Sequence, residues 1–166
     1  MTEYVVRVSE YRLAPDNRPP GCEAAGIGAF RIRGGARFDP HFHDAPEYWL
    51  IYEGKAKVSV GDRVYLVQAG DVVWTPPGAV HDIVEIYEEL EAFYLEESPP
   101  PGGRHGHLHR DERDASGHQI PLSELPEDFP AASRAGVFGA RARAVESRPW
   151  TPSLHSGSST RRGCRC

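Results

Sequence analysis

The sequence has few cysteines and no long apolar segment. Of its three cysteines, Cys22 stands alone, and Cys164 and Cys166 lie within the last three residues. This distribution excludes the disulfide framework of a small secreted domain. No apolar run approaches the length that crosses a bilayer, and the opening MTEYVVRVSE has neither the basic start nor the apolar stretch of a signal peptide. We therefore expect a cytoplasmic protein with no membrane partner.

Positive charge is scarce over most of the chain. The net charge is −5, but residues 131–166 contain seven arginines and one glutamate, which leaves residues 1–130 with 12 basic and 23 acidic side chains, a net −11. Such an acidic surface repels nucleic acid and anionic membranes, so we expect no nucleic-acid partner. The basic tail could contact an anion, although its composition favours a solvated, poorly ordered segment.

Helix-forming runs are also scarce, whereas glycine and proline are frequent, with 17 and 15 residues. Short alternating segments separated by turn residues predict antiparallel strands, and so an all-β sandwich or small barrel. One of these turns is expected at Glu53-Gly54, between EYWLIYE and KAKVSV. The predicted organisation is an N-terminal strand and linker at 1–25, a barrel at 26–97, an irregular His/Pro-rich loop extension at 98–130 and a poorly ordered basic tail at 131–166.

The segment HFHDAPEYW, residues 41–49, can be a metal site or an ordinary polar turn between two strands. Residues two apart on a strand face the same way, so His41 and His43 project together. Glu47 follows the break at Asp-Ala-Pro, and its alternation places it on one face of the next strand. His81 follows the turn TPPGAV and is a candidate fourth ligand.

Two spaced patterns surround these residues. The first contains Gly35, His41, His43, Glu47 and Gly54, and the second contains Gly70, Pro76, Gly78 and His81. Together they resemble the two sequence motifs of the cupin superfamily, over residues 35–85. The resemblance implies a double-stranded β-helix, or jelly-roll, barrel. It also implies a metal site whose ligands are His41, His43, Glu47 and His81.

Three imidazoles and one carboxylate suit one divalent transition metal per chain, among Fe, Mn, Ni, Co, Cu and Zn. On an octahedral ion two positions stay open for water or substrate, which suits catalysis. The resemblance implies a metal-dependent enzyme acting on a small oxygenated molecule, with dioxygenase-type oxidation slightly favoured. The alternatives are a redox-neutral sugar isomerase, epimerase or lyase, and a non-catalytic module that binds a small ligand.

Five further residues are candidates for the substrate pocket or for proton transfer. Trp49 shares the face of Glu47 and could form a pocket wall. Arg31 and Arg33 share one face of their strand and could hold a substrate carboxylate or phosphate if that face is the inner one, but exposed strand arginines are the commoner case. Glu85 and Tyr87 are candidate catalytic bases, with a surface salt bridge as the alternative for Glu85.

A second histidine cluster lies in the segment RHGHLHR, where alternation places His105, His107 and His109 on one side of an extended chain. These residues could bind a metal or transfer protons at the pocket mouth, or could belong to an exposed loop. The first strand, EYVVRVSEYRL, resembles the N-terminal strand that small cupins exchange between subunits. We therefore expect a homodimer.

Overall fold

The computed structural model describes residues 7–8 and 12–131 of the chain. Most of the predicted N-terminal strand and residues 132–166 of the predicted basic tail lie outside this part. Within it, the regular structure is β-strand apart from one turn of 3-10 helix at Asp114–Ser116, and the all-β prediction is confirmed. The strands are β1 (Gly26–Ile32), β2 (Arg37–Phe38), β3 (Glu47–Val60), β4 (Arg63–Gln68), β5 (Val72–Thr75), β6 (His81–Glu96) and β7 (His118–Gln119).

The long strands β3 and β6 pair with each other and form the centre of the main sheet. The strand order is β1-β6-β3-β4, and β5 pairs with the first half of β3, next to the part that pairs with β4. All of these strands run antiparallel. Strands β2 and β7 form a separate two-stranded antiparallel sheet. No helix in the described part is long and apolar enough to cross a membrane.

The expected turn at Glu53-Gly54 is wrong, because β3 continues through both residues. The pairing of β3 with β6 shifts register between Ile51 and Ala56, which marks bulges rather than a reversal of the chain. Gly54 has φ 88°, and a Cβ at this position would collide with the carbonyl oxygen of Glu89 on β6. Glycine is thus required here for a bulge and for the close approach of two strands.

The core lies between the inner faces of the long strands. Several residues of β6 are fully buried, including Ile83, Leu90 and Ala92, each at 0% exposure. Ile120 is also 0% exposed and belongs to the same cluster, although it follows the barrel strands in the sequence. The extension after residue 97 therefore contributes to the core.

Three backbone contacts hold the extension against the barrel. Strand β7 pairs with β2. Leu108 and Phe42 form an isolated bridge through two N–H to O contacts of 2.9 and 3.0 Å. Leu122 forms a parallel bridge with Ile86. The Phe42 bridge matters most for function, because it lies between the two histidines of HFH.

Candidate metal centre

Three chain segments meet at one place in the fold and bring four polar side chains together. Glu47 is the first residue of β3, and His81 is the first residue of β6. His41 and His43 lie in the extended segment that precedes β3, and His41 pairs with His81 through backbone contacts of 2.8 and 3.2 Å. The turn at Asp44-Ala45-Pro46 separates this segment from β3, as the sequence predicts.

The four side chains are buried and their donor atoms converge. Exposed fractions are 3% for His41 and His43, 6% for Glu47 and 0% for His81. The Nε2 atoms of His41 and His81 are 3.0 Å apart, and Glu47 Oε2 lies 3.2 Å from His81 Nε2 and 3.7 Å from His43 Nε2. One donor atom from each residue lies within 4.8 Å of all the others. The group is therefore suited to one metal ion.

Each imidazole is oriented through its other ring nitrogen. In all three histidines Nδ1 faces a backbone carbonyl oxygen, to which an Nδ1–H would donate. The contacts are His41 to Asp39 (2.6 Å), His43 to Gly106 (3.1 Å) and His81 to Ala79 (3.4 Å). A proton on Nδ1 leaves the lone pair on Nε2 available inside the cluster, which is the arrangement that metal-binding histidines need.

Two features of the cluster fit a bound cation. Within the described part of the chain, His43 Nε2 is the buried side-chain atom with no hydrogen-bond partner, a costly state unless another group binds it. The Nε2 lone pairs of His41 and His81 face each other at 3.0 Å, which is repulsive without a proton or cation between them. Two metal–nitrogen bonds of about 2.1 Å at a right angle would place two nitrogens about 3.0 Å apart.

The charges around the cluster also favour a cation. Burial, and then the neighbouring His81, lower the pKa of His41 to about 3, so His41 is a neutral imidazole at physiological pH and can act as a ligand. Burial also acts to lower the pKa of His43, but the carboxylates of Glu96 and Glu47 outweigh it and raise that pKa. Two carboxylates close to one imidazole give the site a net attraction for positive charge.

Trp49 lies against this cluster, on the face of β3 that the sequence predicts. Its side chain is 3% exposed, and its indole N–H donates to Glu47 Oε2 at 2.9 Å. The indole ring also contacts the His81 ring, with 5.2 Å between centroids. Trp49 thus fixes the carboxylate of Glu47 and forms part of the wall beside it.

A cavity of about 330 Å³ opens next to the four residues. Its lining combines apolar and polar residues. The apolar residues include Phe30, Ile32, Phe38 and Trp49, and the polar residues include Arg12, Tyr94, Glu96, His105 and His107. This volume is at the lower end of the range for small-molecule sites.

Glu96 and Tyr94 are cavity residues that the sequence prediction missed. Glu96 ends β6, and one of its carboxylate oxygens lies 3.4 Å from His43 Nδ1. Burial acts to raise the pKa of Glu96, but the hydrogen bond with His43 and the charges of His43 and the loop histidines together outweigh it and lower that pKa. Strand alternation could have indicated both residues. Leu90 and Ala92 are buried, and Tyr94 and Glu96 continue the same face of β6.

Arg31 and Arg33 lie outside the cavity, which corrects their prediction as pocket residues. The inward positions of this part of the chain belong to Phe30 and Ile32, so alternation directs the two arginines outward. Both arginines are exposed. Arg31 instead forms salt bridges with β6, at 2.6 Å to Glu91 and 3.3 Å to Glu89.

Glu85 and Tyr87 also lie away from the cavity, on the side of β6 that faces β3 residue Lys57. Lys57 Nζ donates to Glu85 at 2.7 Å, and the Tyr87 hydroxyl donates to the same carboxylate at 3.1 Å. The hydrogen bond from Lys57, which outweighs burial, lowers the pKa of Glu85. These residues form a surface ion pair, the alternative that the sequence left open, and are not placed to act on a molecule in the cavity.

The three loop histidines differ in their surroundings. His105 and His107 line the cavity. The ring of His107 stacks on His41, with centroids 3.5 Å apart and an angle of 6° between the planes. His109 and His107 both contact the carboxylate of Asp39, at 3.0 and 2.7 Å. Asp39 is another residue that the sequence prediction missed.

Comparison with known proteins relates the barrel to a protein family but does not assign it a reaction. Residues 28–96 match the sequence model of the family described as cupin domain. The uncharacterized protein y4oW of Sinorhizobium fredii is 35% identical over 103 residues, covering 53% of this chain and 48% of that protein. This chain therefore spans about half the length of the curated relative it matches.

Two solved structures are similar over part of their length. A cupin 2 domain-containing protein from Halorhodospira halophila is 19% identical with a TM-score of 0.49, covering 63% of this chain and 72% of that one. A cupin 2 conserved barrel domain protein from Rhodopseudomonas palustris is 18% identical with a TM-score of 0.49, covering 58% of this chain and 64% of that one.

Proposed function

This chain belongs to the cupin superfamily through its barrel, and from that premise we propose that it is a metal-dependent enzyme acting on a small oxygenated molecule. The observation that carries the proposal is the buried cluster of His41, His43, Glu47 and His81 beside the cavity, with His43 Nε2 lacking a partner among the described residues. These four residues would hold one divalent transition metal. The ligand set suits Fe, Mn, Ni, Co, Cu or Zn.

The cavity supports a reaction on a small molecule that reaches the cluster. When bound, the metal would supply Lewis acidity and open positions for oxygen ligands. Phe30, Phe38 and Trp49 form an apolar wall that would exclude water from the reacting groups. Trp49 also holds the Glu47 carboxylate in place through its N–H. We favour dioxygenase-type oxidation of an enediol, diketone or phenol, which can present two oxygens to the cluster.

One observation supports a second class of reaction, redox-neutral isomerisation, epimerisation or elimination on a sugar-like substrate. Such chemistry needs a base in the cavity, and Glu85 and Tyr87 are too far from it to serve. Glu96 is a carboxylate within the cavity wall, close to His43. It could accept a hydrogen bond from a substrate hydroxyl and receive a proton.

Oxygen-uptake and product analysis on the same samples separate these reactions. The panel would contain enediols, diketones, phenols and sugars, each tested with protein loaded with iron, manganese or zinc. We expect turnover of at least one compound, lost in His43→Ala and Glu47→Gln and kept in the matched control Glu85→Gln. Oxygen consumption supports oxidation, and isomerisation or elimination without it supports the second class. Tight binding of a compound with no turnover would indicate a non-catalytic module.

We also propose that the chain forms a homodimer in the cytoplasm. The N-terminal segment that suggests strand exchange lies largely outside the described residues, but the outer face of the main sheet offers separate support. Leu50 is paired with Phe93 on one side and Val72 on the other, and all three side chains are exposed, as is Trp74 on the same strand as Val72. A continuous apolar surface of this kind is typical of subunit contacts.

A further inference from the structure

A row of paired residues crosses the inner face of the main sheet beside the buried cluster. Gly28 of β1 pairs with Tyr94 of β6, and Tyr94 pairs on its other side with Trp49 of β3. Residues that pair directly across antiparallel strands share a face of the sheet. Tyr94 and Trp49 accordingly both line the cavity, and Gly28 leaves the position next to the phenol without a side chain.

Arg12 extends this row beyond Gly28. The following residue, Leu13, forms an antiparallel bridge with Ile27 through backbone N–H to O contacts of 2.8 and 3.0 Å. The antiparallel register then sets Arg12 opposite Gly28. The side-chain amide of Asn17 donates to the Arg12 carbonyl oxygen at 3.0 Å and so holds this part of the backbone. Arg12 lines the cavity, in agreement with the register.

Gly28 allows the two polar side chains of the row to approach each other. A Cβ at this position would lie 2.7 Å from Tyr94 Cζ and 2.8 Å from the Tyr94 hydroxyl oxygen, closer than Cβ atoms approach other atoms. The phenol therefore lies over the glycine, on the side where Arg12 follows in the row. We infer that Arg12 and Tyr94 form a carboxylate-binding pair, which takes the end of the substrate remote from the buried cluster. The inference rests on the proposed function in taking the cavity as the substrate site.

The chemistry of the pair defines what it binds. An arginine side chain carries a permanent positive charge and several donors whose spacing matches a carboxylate. Burial and the nearby carboxylates raise the pKa of Tyr94 and outweigh the charge and hydrogen bond of Arg12, which act to lower it. The phenol thus keeps its proton and can donate it in a hydrogen bond. The role that the sequence suggests for Arg31 and Arg33 falls to Arg12.

The spacing of the rows limits the length of the substrate. The neighbouring row contains Gly26, Glu96 and Glu47, and Glu47 belongs to the buried cluster. Successive rows on one face lie about 7 Å apart along a strand. A short acid fits this spacing and the cavity volume of about 330 Å³, if the length of one aromatic ring separates its carboxylate from the oxygens that reach the cluster.

Binding of matched acids and amides tests the pair. Isothermal titration uses the full chain loaded with zinc, which is redox-inert, so that no probe is oxidised. One probe pair is a catechol with a carboxylate opposite one hydroxyl and the same catechol with a carboxamide there, and the other is succinate and succinamate. We expect the acid to bind more tightly than its amide by about tenfold or more in at least one pair. Equal affinities within both pairs, or no binding of any probe, would overturn the inference.

Variants assign the preference for the acid to the two residues. Arg12→Gln should lower the affinity for the acid about tenfold and that for the amide less than about twofold. Tyr94→Phe keeps the ring and removes the donor, and it should lower the affinity for the acid about fivefold. The matched controls Arg33→Gln and Tyr52→Phe lie outside the cavity lining and should bind as the parent chain does. A preference that survives both Arg12→Gln and Tyr94→Phe would contradict the assignment.

Gly28→Ala tests whether the glycine positions the phenol. The atoms nearest to the new methyl group belong to the Tyr94 side chain, so we expect the phenol to shift and the affinity for the acid to fall by up to about fivefold. In a Tyr94→Ala background the same change has no ring to displace and should leave the affinity unchanged. Equal changes in the two backgrounds would show that Gly28 does not act through Tyr94.

These outcomes are separate from the outcome of the proposed reaction. A preference for the acid that is lost in Arg12→Gln, in a protein that turns over no compound, would support the pair and contradict the proposal of an enzyme. Turnover of neutral compounds, without any preference for acids in binding, would support the enzyme and overturn the inference.

Discussion

Two regions of this protein contain histidines spaced two residues apart, and they differ in what surrounds them. In the barrel, His41 and His43 are each 3% exposed, and their Nδ1 atoms face backbone carbonyl oxygens. In the loop, His107 is half exposed and His109 one-fifth exposed, and both face a carboxylate. The spacing is the same in the two regions, so it does not by itself decide what a pair of histidines does.

The difference lies in which nitrogen is left free and how much water surrounds it. In the barrel, backbone carbonyls that face Nδ1 fix the orientation of the histidines, so their Nε2 atoms are directed into a buried space. Asp39 adds a negative charge that water partly screens, so the loop histidines form a weaker and more accessible group. We therefore expect the barrel cluster to bind a transition metal more tightly than any group of loop side chains does.

The largest effect should come from removing a histidine of the barrel cluster, and removing a loop histidine is the matched comparison. His81→Ala deletes a fully buried donor of the barrel cluster, and we expect affinity for the barrel metal to fall by more than about 100-fold, because changing only an outer partner of a ligand already costs 10–100-fold. His105→Ala, in the loop, should leave that affinity within a few-fold. Isothermal titration with a single metal provides both values. Equal losses in the two variants would contradict the distinction.

The next largest effect concerns how the extension after residue 97 packs against the barrel. Ile120 is fully buried in the core, whereas Leu122 is 70% exposed. Ile120→Ala should lower the free energy of unfolding by about 2–4 kcal/mol, and Leu122→Ala by less than about 0.5 kcal/mol. Urea unfolding measures both. A small change for Ile120→Ala would mean that the extension does not share the barrel core.

A smaller effect should come from a residue that supports the barrel cluster without belonging to it. Trp49→Phe keeps an aromatic wall but removes the N–H that donates to Glu47. We expect metal affinity to fall about tenfold, as for other partners of metal ligands. Trp74→Phe is the matched control, because Trp74 is 55% exposed. Metal competition with a chromophoric chelator measures the two affinities, and an unchanged value for Trp49→Phe would contradict this role.

The smallest expected effect concerns His118, which pairs with one carboxylate and belongs to neither region. Burial acts to lower the pKa of His118, but the hydrogen bond with Asp82, the charge of that carboxylate and the contact with the Gln119 carbonyl together outweigh it and raise that pKa. The pair therefore adds stability below about pH 6.5, the ordinary histidine value, and this stability is lost as the pH rises through the higher pKa of the folded state.

His118→Gln should accordingly destabilise the protein by about 0.5 kcal/mol in mildly acidic buffer, as expected of a partly exposed pair. The difference from the parent chain should shrink in mildly alkaline buffer. Thermal unfolding at both pH values is the measurement. A difference that grows with pH would show that the assigned direction of the pKa shift is wrong.

Features of local spacing could be predicted from the sequence. His41 and His43 are two residues apart on an extended segment, and Glu47 and Trp49 are two apart on the next strand, so strand alternation alone places each pair on one face. The cupin resemblance then associates these residues with His81. The structure brings the four metal-site candidates together and places Trp49 beside them.

Features that depend on the pairing of distant strands could not be predicted in the same way. Alternation tells which residues share a face but not which face is the inner one, and for that reason Arg31 was a candidate and Glu96 was not. Glycine at 54 was equally compatible with a turn and a bulge, because both accept a positive φ. The contact between Asp39 and the loop histidines requires the Phe42–Leu108 bridge, which joins segments more than sixty residues apart.

The most direct test of the central claim is anomalous diffraction from crystals of the protein loaded with a single transition metal, recorded at the absorption edge of that metal. We predict a strong peak about 2.1 Å from the Nε2 atoms of His41, His43 and His81, and at a similar distance from a Glu47 carboxylate oxygen. A peak at the loop alone, or no peak between these four residues in metal-saturated crystals, would contradict the assignment of the barrel cluster as the metal centre.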